Sequence, residues 1–202
     1  MTNKILLNKP LQKYLDNTRS PSVNFELGYT YEKMGQFASA ATFYNRTAEF
    51  SLMFSDIKLK LLAYEALLRL SICFENLGSR NHVLKGILLR AISLYPQRPE
   101  AYFMLSKTYE RTKEWNESYT WAVIGEMLEA PSQRLITNVE YPDKYALSFQ
   151  RGVAAWWIGL FEESMNIMKE ITEMQYIEEK YKLAALNNLI NLQDKIKPRI
   201  SL

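Results

Sequence analysis

Apolar residues recur every three or four positions along most of the chain. In YFMLSKTYERTKEW, residues 102–115, Tyr102, Leu105, Tyr109 and Thr112 share one stripe, the spacing of an amphipathic helix. No run alternates strictly in twos between turn signals, so the pattern predicts an all-α chain. The predicted helices come in pairs joined by tight turns. KMGQF at 33–37 closes one helix with Gly35, a residue that tolerates the left-handed conformation, and opens the next almost at once. The same punctuation returns as NLGSR at 76–80 and WIGLF at 157–161, while TKEW at 112–115 fills that place without a glycine.

The pairs repeat one another. Gly28, Ser71, Ser106 and Gly152 each fall within a first helix and are followed three residues later by Tyr31, Phe74, Tyr109 or Ala155. In the second helices Ala40, Leu84, Ser118 and Ser164 are followed four residues on by Tyr44, Leu88, Ala122 and Met168. Small residues let helix axes approach closely, and large ones fill the space beside them.

This alternation resembles the tetratricopeptide repeat. AYFMLSKTYERTKEWNESYTWAVIGEMLE carries it best, at Tyr102, Leu105, Ser106, Tyr109, Ser118 and Ala122, with Ala91, Leu94 and Pro96 closing the preceding unit. The resemblance implies a right-handed α-α superhelix of about four helix pairs in one domain over residues 1–202, with units at about 21–52, 57–96, 99–130 and 143–174. Pro96 ends one unit. Pro99 sits in the first turn of the next helix, where its missing N–H is not needed. The repeat length is about 34 residues in the family. Leu70 and Leu105 stand 35 apart, but Gly35 and Gly78 stand 43 apart because AEFSLMFSDIKLKL lengthens the connection.

A long insertion, EAPSQRLITNVEYPDKY at 129–145, separates the third and fourth units. It carries Leu135, Ile136, Val139 and Tyr141 besides two prolines, which predicts a loop pinned to the body. At the N-terminus a short helix from Pro10 would put Leu11, Tyr14 and Leu15 on one face. At the C-terminus a capping helix over 176–196 would turn Leu183, Leu186, Leu189, Ile190 and Leu192 inward and a polar side outward.

Composition narrows the chemistry. The 202 residues are 48% hydrophobic and 23% charged with net charge +3, and Lys and Arg alternate with Glu, which disfavours a nucleic-acid footprint. The single cysteine, Cys73, excludes an internal disulfide and reads as a small core residue. The single histidine, His82, reads as a solvated turn residue. With no acidic cluster at ligand spacing it argues against a metal site or a nucleophile–base pair. Glu162–Glu163 and Glu178–Glu179 open predicted helices, where carboxylates complement the helix dipole. No apolar run approaches a membrane span or a signal-peptide core. The expectations are no catalysis, no cofactor, no membrane insertion and a cytoplasmic location.

What remains is a binding surface. First helices of such a stack line its concave face. Projected onto this chain, that face holds Phe25, Tyr29 and Lys33, then Arg69, Ile72 and Asn76, then Phe103, Lys107 and Arg111. The fourth unit adds Phe149, Val153 and one of the adjacent Trp156 and Trp157, which point about 100° apart on a helix, with Trp157 the candidate. Aromatic footholds with a mild basic bias suit a protein or peptide partner of acidic character. Phe25, Phe103 and Phe149 can equally pack against a neighbouring repeat. Phe25 and Tyr29 also stand where carboxylate-gripping chaperone receptors of this family carry lysine and asparagine, which argues against that role.

A narrower resemblance covers residues 87–190. RPEAYFML, an insertion and AAWWIGLFEESM are similar to the helical region beside family-2-type glycosyltransferase domains, without the Asp-x-Asp motif or the nucleotide-binding α/β region. It implies an association with glycan-transfer machinery. The leading expectation is therefore a non-catalytic protein- or peptide-binding scaffold. The alternatives are a helical part of a glycan-transfer enzyme system with its own activity, a helical-repeat nucleic-acid binder, and homo-oligomerisation through the C-terminal region.

Overall fold

The computed structural model describes residues 2–78 and 80–196, with side chains described from residue 7 to 191. Among the described residues there are ten α-helices and no strand. They are α1 (Thr2–Asp16), α2 (Pro21–Lys33), α3 (Phe37–Ser51), α4 (Ile57–Asn76), α5 (Asn81–Leu94), α6 (Pro99–Arg111), α7 (Trp115–Glu126), α8 (Lys144–Trp157), α9 (Phe161–Glu173) and α10 (Glu179–Ile196). The all-α helical-repeat architecture expected from the periodicity is the one observed.

The helices form two compact units. The first holds α1 to α5 together with residues 131–139, and the second holds α6 to α10 with residues 98–130 and the chain from 140 onward. In the first, α2 pairs with α3 and α4 with α5, and α3 also packs on α4. In the second, α6 pairs with α7 and α8 with α9, while α7 packs on α8 and α10 on α9.

Three of the turns within pairs share one hydrogen-bond pattern. The amides of Gly35 and Gln36 donate to Glu32 O and Tyr31 O, at 2.9 Å each, with Gly35 left-handed at φ 71°. Lys113 and Glu114 repeat this onto Glu110 O and Tyr109 O, and Gly159 and Leu160 onto Trp156 O and Ala155 O. Lys113 thus holds a left-handed φ of 59° without being glycine, at the place where the sequence lacked one. A side chain in that region costs roughly 1–2 kcal/mol. Lys113→Gly is therefore expected to stabilise the second unit by about 1 kcal/mol, read as a higher urea midpoint. An unchanged or lower midpoint would mean that this turn carries no strain.

Close approach between paired helices uses the small residues. A Cβ on Gly28 would stand 3.0 Å from the Tyr44 ring, and one on Gly152 would stand 2.8 Å from Met168 and 2.9 Å from Ile167. Ser106 donates to Ser118 O at 2.8 Å, and Ser164 donates to Gly152 O at 2.7 Å.

Three expectations need correction. The N-terminal helix does not begin at Pro10 but runs through it, from Thr2 to Asp16. Tyr14 anchors it edge-on to Phe43 at 5.4 Å, so the loss of one N–H inside the helix is tolerated, while Leu15 remains 65% exposed. The lengthened connection between the first two units is mostly helix, because Asp56 caps Lys58 N and Leu59 N and starts α4 well before Leu70. On α10 the packed face is Tyr181, Ala185 and Leu189, four residues apart, whereas Leu183, Leu186 and Ile190 are about half exposed. Small Ala185 is the close contact, and packing through it turns the other leucines outward. Leu192 lies outside the described side chains.

Candidate partner-binding site

In the first unit the first-helix face is made by α2 and α4, which pack on each other. α4 is almost wholly apolar where it is buried, LLAYEALLRL, except for Glu65 and Arg69. These two stand four residues apart and so share a helix face. Glu65 is 1% exposed and Arg69 8%. Buried charges need partners, and most of these come from the insertion. Glu65 Oε2 accepts from Ile136 N at 2.7 Å, and Glu65 Oε1 accepts from Thr137 N and Thr137 Oγ1, both at 2.6 Å. Arg69 Nε donates to Thr137 Oγ1 at 2.8 Å and Nη2 donates to Asn138 O at 2.7 Å. Its remaining nitrogen, Nη1, pairs with Glu32 on α2 at 2.8 Å. Tyr44 of α3 donates to the second Glu32 oxygen at 2.6 Å.

A continuous polar row, Glu65–Thr137–Arg69–Glu32–Tyr44, thus crosses the face of this unit. Burial, then the Glu32 carboxylate, pushes the Tyr44 hydroxyl far above the usual tyrosine range, which keeps it a donor. Cys73 lies buried near the row, its thiol pushed up to about 12 by burial and then by Glu32, so it is an inert core residue. Residues 131–139 belong to the first unit, held by these polar contacts and by Val139 at 4% exposure, whereas Ile136 is 74% exposed.

Of the candidate site residues in this unit, Tyr29, Lys33 and Arg69 come together: Arg69 lies 5.3 Å and Lys33 5.0 Å from the Tyr29 ring centroid. Phe25 is 5% exposed and packs edge-on to Tyr44. Asn76 is exposed at the end of α4 and donates to Ile72 O within its own helix. Glu65 and Glu32 were missed by sequence reasoning. The signal for Glu65 was present: a carboxylate four residues before an arginine inside a buried apolar run.

In the second unit the corresponding face, on α6 and α8, is aromatic. Phe103 is 1% exposed and meets Tyr141 at 5.5 Å between centroids. Phe149 and Tyr145 both meet Tyr181 of α10 edge-on, at 5.4 and 5.2 Å. Burial pushes the Tyr141 and Tyr181 hydroxyls upward, Tyr181 to about 12. Phe103 and Phe149 therefore sit in an aromatic cluster filled by the chain's own tyrosines. Lys107 lies over Phe103 at 5.4 Å, and Arg111 is exposed beside it, donating to Thr108 Oγ1. Burial raises the carboxyl of Glu110 between them. Trp157 is 57% exposed and stacks on Trp115 at 5.0 Å, where α8 ends and α7 begins, and Trp156 meets Phe161 at 4.5 Å.

Glu162 and Glu163 lie in the first turn of α9 and Glu179 in that of α10. Glu163 also binds Arg151 and Tyr119, joining α7, α8 and α9. His82 is exposed in the first turn of α5. Among the described residues, no group of three or more His, Cys, Asp or Glu could hold a metal ion, and no helix is long and apolar enough to cross a membrane.

Residues 21–49, the α2–α3 pair, match the tetratricopeptide repeat family profile. No curated protein matches the sequence significantly. Among solved structures, MamA aligns over 94% of this chain and 87% of its own at 16% identity, with a TM-score of 0.58. The kinesin light chain-type TPR-like repeats of Podosopora anserina align over 89% and 90% at 14% identity, with a TM-score of 0.62. Acl4, an assembly chaperone of RpL4, aligns over 98% and 100% at 10% identity, with a TM-score of 0.50. At these identities the likeness speaks for the fold. Four helix pairs, the turn pattern that three of them share, the matched repeat at residues 21–49 and the likeness to solved repeat structures give this chain the tetratricopeptide-repeat fold.

Proposed function

We propose that the chain is a non-catalytic protein-interaction scaffold that receives a segment of a protein partner on its first-helix faces. The observation that supports this reading is an irregular segment, bent at Ile136 and Thr137, whose main chain is held on α4 by hydrogen bonds to Glu65 and Arg69. Repeat stacks of this kind present extended binding surfaces, which supports a protein partner. On the second unit, Lys107 and Arg111 favour an acidic stretch in that partner. The glycosyltransferase association implied by residues 87–190 gains no support from the matches above and is not carried into this proposal.

Affinity capture from the native cell extract tests the reading, with wild type beside a Lys107→Glu, Arg111→Glu variant of unchanged helicity and melting. A specific partner captured by wild type and lost by the variant is the expected result. Equal capture by both would keep the scaffold reading and move its contact off α6. Failure of both to capture any specific partner would overturn it.

A further inference from the structure

Residues 135–139 meet α4 as a ligand meets a receptor. Between Met127 and Lys144 the chain forms neither helix nor strand. Its hold on the face comes from two successive amides and a hydroxyl on one carboxylate, and from a carbonyl on one guanidinium. Side-chain reading is seen at two positions. The Thr137 hydroxyl must donate to Glu65 and accept from Arg69 at once, and Val139 is buried. Ile136, by contrast, is 74% exposed. A cleft of about 380 Å³ remains beside the segment, lined by Lys58, Leu61, Leu62 and Glu65 of α4 and by Arg134 and Ile136.

The receptor side is built for this contact. Glu65 and Arg69 are the charged positions in the apolar stretch 61–70 of α4; Glu65 is 1% exposed, and the partners seen at its two oxygens all come from the segment.

Resting on the scaffold reading, we propose that the Glu65–Arg69 face is a peptide-recognition site holding an internal ligand, residues 135–139, and that a protein partner displaces it. The partner enters as a bent segment, like the one it replaces, with Thr or Ser two residues before an apolar side chain. A hydroxyl is required because it alone both donates and accepts at that point. A phosphorylated residue does not fit, because its phosphate would face the Glu65 carboxylate as a like charge.

The test uses the full chain and a fluorescent peptide of residues 134–141, RLITNVEY, read by anisotropy. Thr137→Ala with Val139→Ser loosens the internal segment and leaves the receptor residues intact. This variant is expected to bind the peptide at least tenfold more tightly than wild type. Adding Glu65→Gln, with helicity and melting unchanged from the loosened variant, is expected to abolish that binding, and the phosphothreonine form of the peptide is expected not to bind. Equal binding to variant and wild type, or binding that survives Glu65→Gln, would overturn the proposal. So would loss of helicity in the loosened variant, which would make the segment part of the fold. In wild type, the amides of Ile136 and Thr137 are expected to exchange with deuterium at least a hundredfold faster than those at the centre of α4. Exchange at the same rate as α4 would overturn it too. Partner capture that persists when peptide binding fails removes this inference and leaves the scaffold reading standing.

Discussion

Replacing Arg69 with Met is expected to destabilise the first unit by about 3–5 kcal/mol, measured by equilibrium urea unfolding. The magnitude follows from what the guanidinium leaves behind. Glu32 would keep a carboxylate whose side chain is 12% exposed with its cation gone, and Asn138 O would lose its donor. Methionine fills much of the same space, so the loss is electrostatic and not a cavity. Two companions separate the causes. Arg69→Lys keeps the charge but not the three-way geometry, and should lie between wild type and Met. Glu32→Gln added to Arg69→Met removes the orphaned charge and should recover part of the loss, a coupling visible in a double-mutant cycle. A drop below about 1 kcal/mol would mean that the pair behaves as a solvated surface bridge.

Phe103→Ala should cost the second unit about 3–5 kcal/mol, the range for truncating a buried aromatic. The ring is 1% exposed between Tyr141 and the Ala146–Leu147 stretch of α8. Had Phe103 been an open groove wall, the same change would leave stability within about 0.5 kcal/mol and weaken only binding. Tyr141→Ala empties the same cluster from the other side, so the double variant should lose less than the two single losses together.

The helix pairs were legible because their causes are local. A period near 3.6, Gly35 and Gly159 at the turns, and small residues where helices touch are all written within a few positions of one another. What filled the first-helix faces was not. Phe103 and Phe149 look the same in sequence whether they line an open groove or meet Tyr141 and Tyr181, because both settings want an aromatic at that position. The insertion's leucine, isoleucine and valine predicted a pinned loop, but its dock is set by Glu65, 72 residues before Thr137. The rotation of α10 failed to show for a different reason. Its apolar residues span more arc than one neighbour can cover, and packing selected Ala185, the least hydrophobic of them, because it is small.

The segment on the α2–α4 face is tied to the second unit at both ends, leaving it after Ala130 and rejoining it at Glu140. A ligand held by such tethers acts at an effective concentration on the order of millimolar, whatever the protein's own dilution. A free peptide making the same contacts would therefore need to approach that concentration before it occupied half the sites. Short peptides screened at micromolar levels should find the wild-type chain unresponsive. A partner that also engages the second unit is not bound by that limit, because its two contacts supply each other's local concentration. On the proposed reading, the tether thus works as a concentration threshold that a free fragment does not reach.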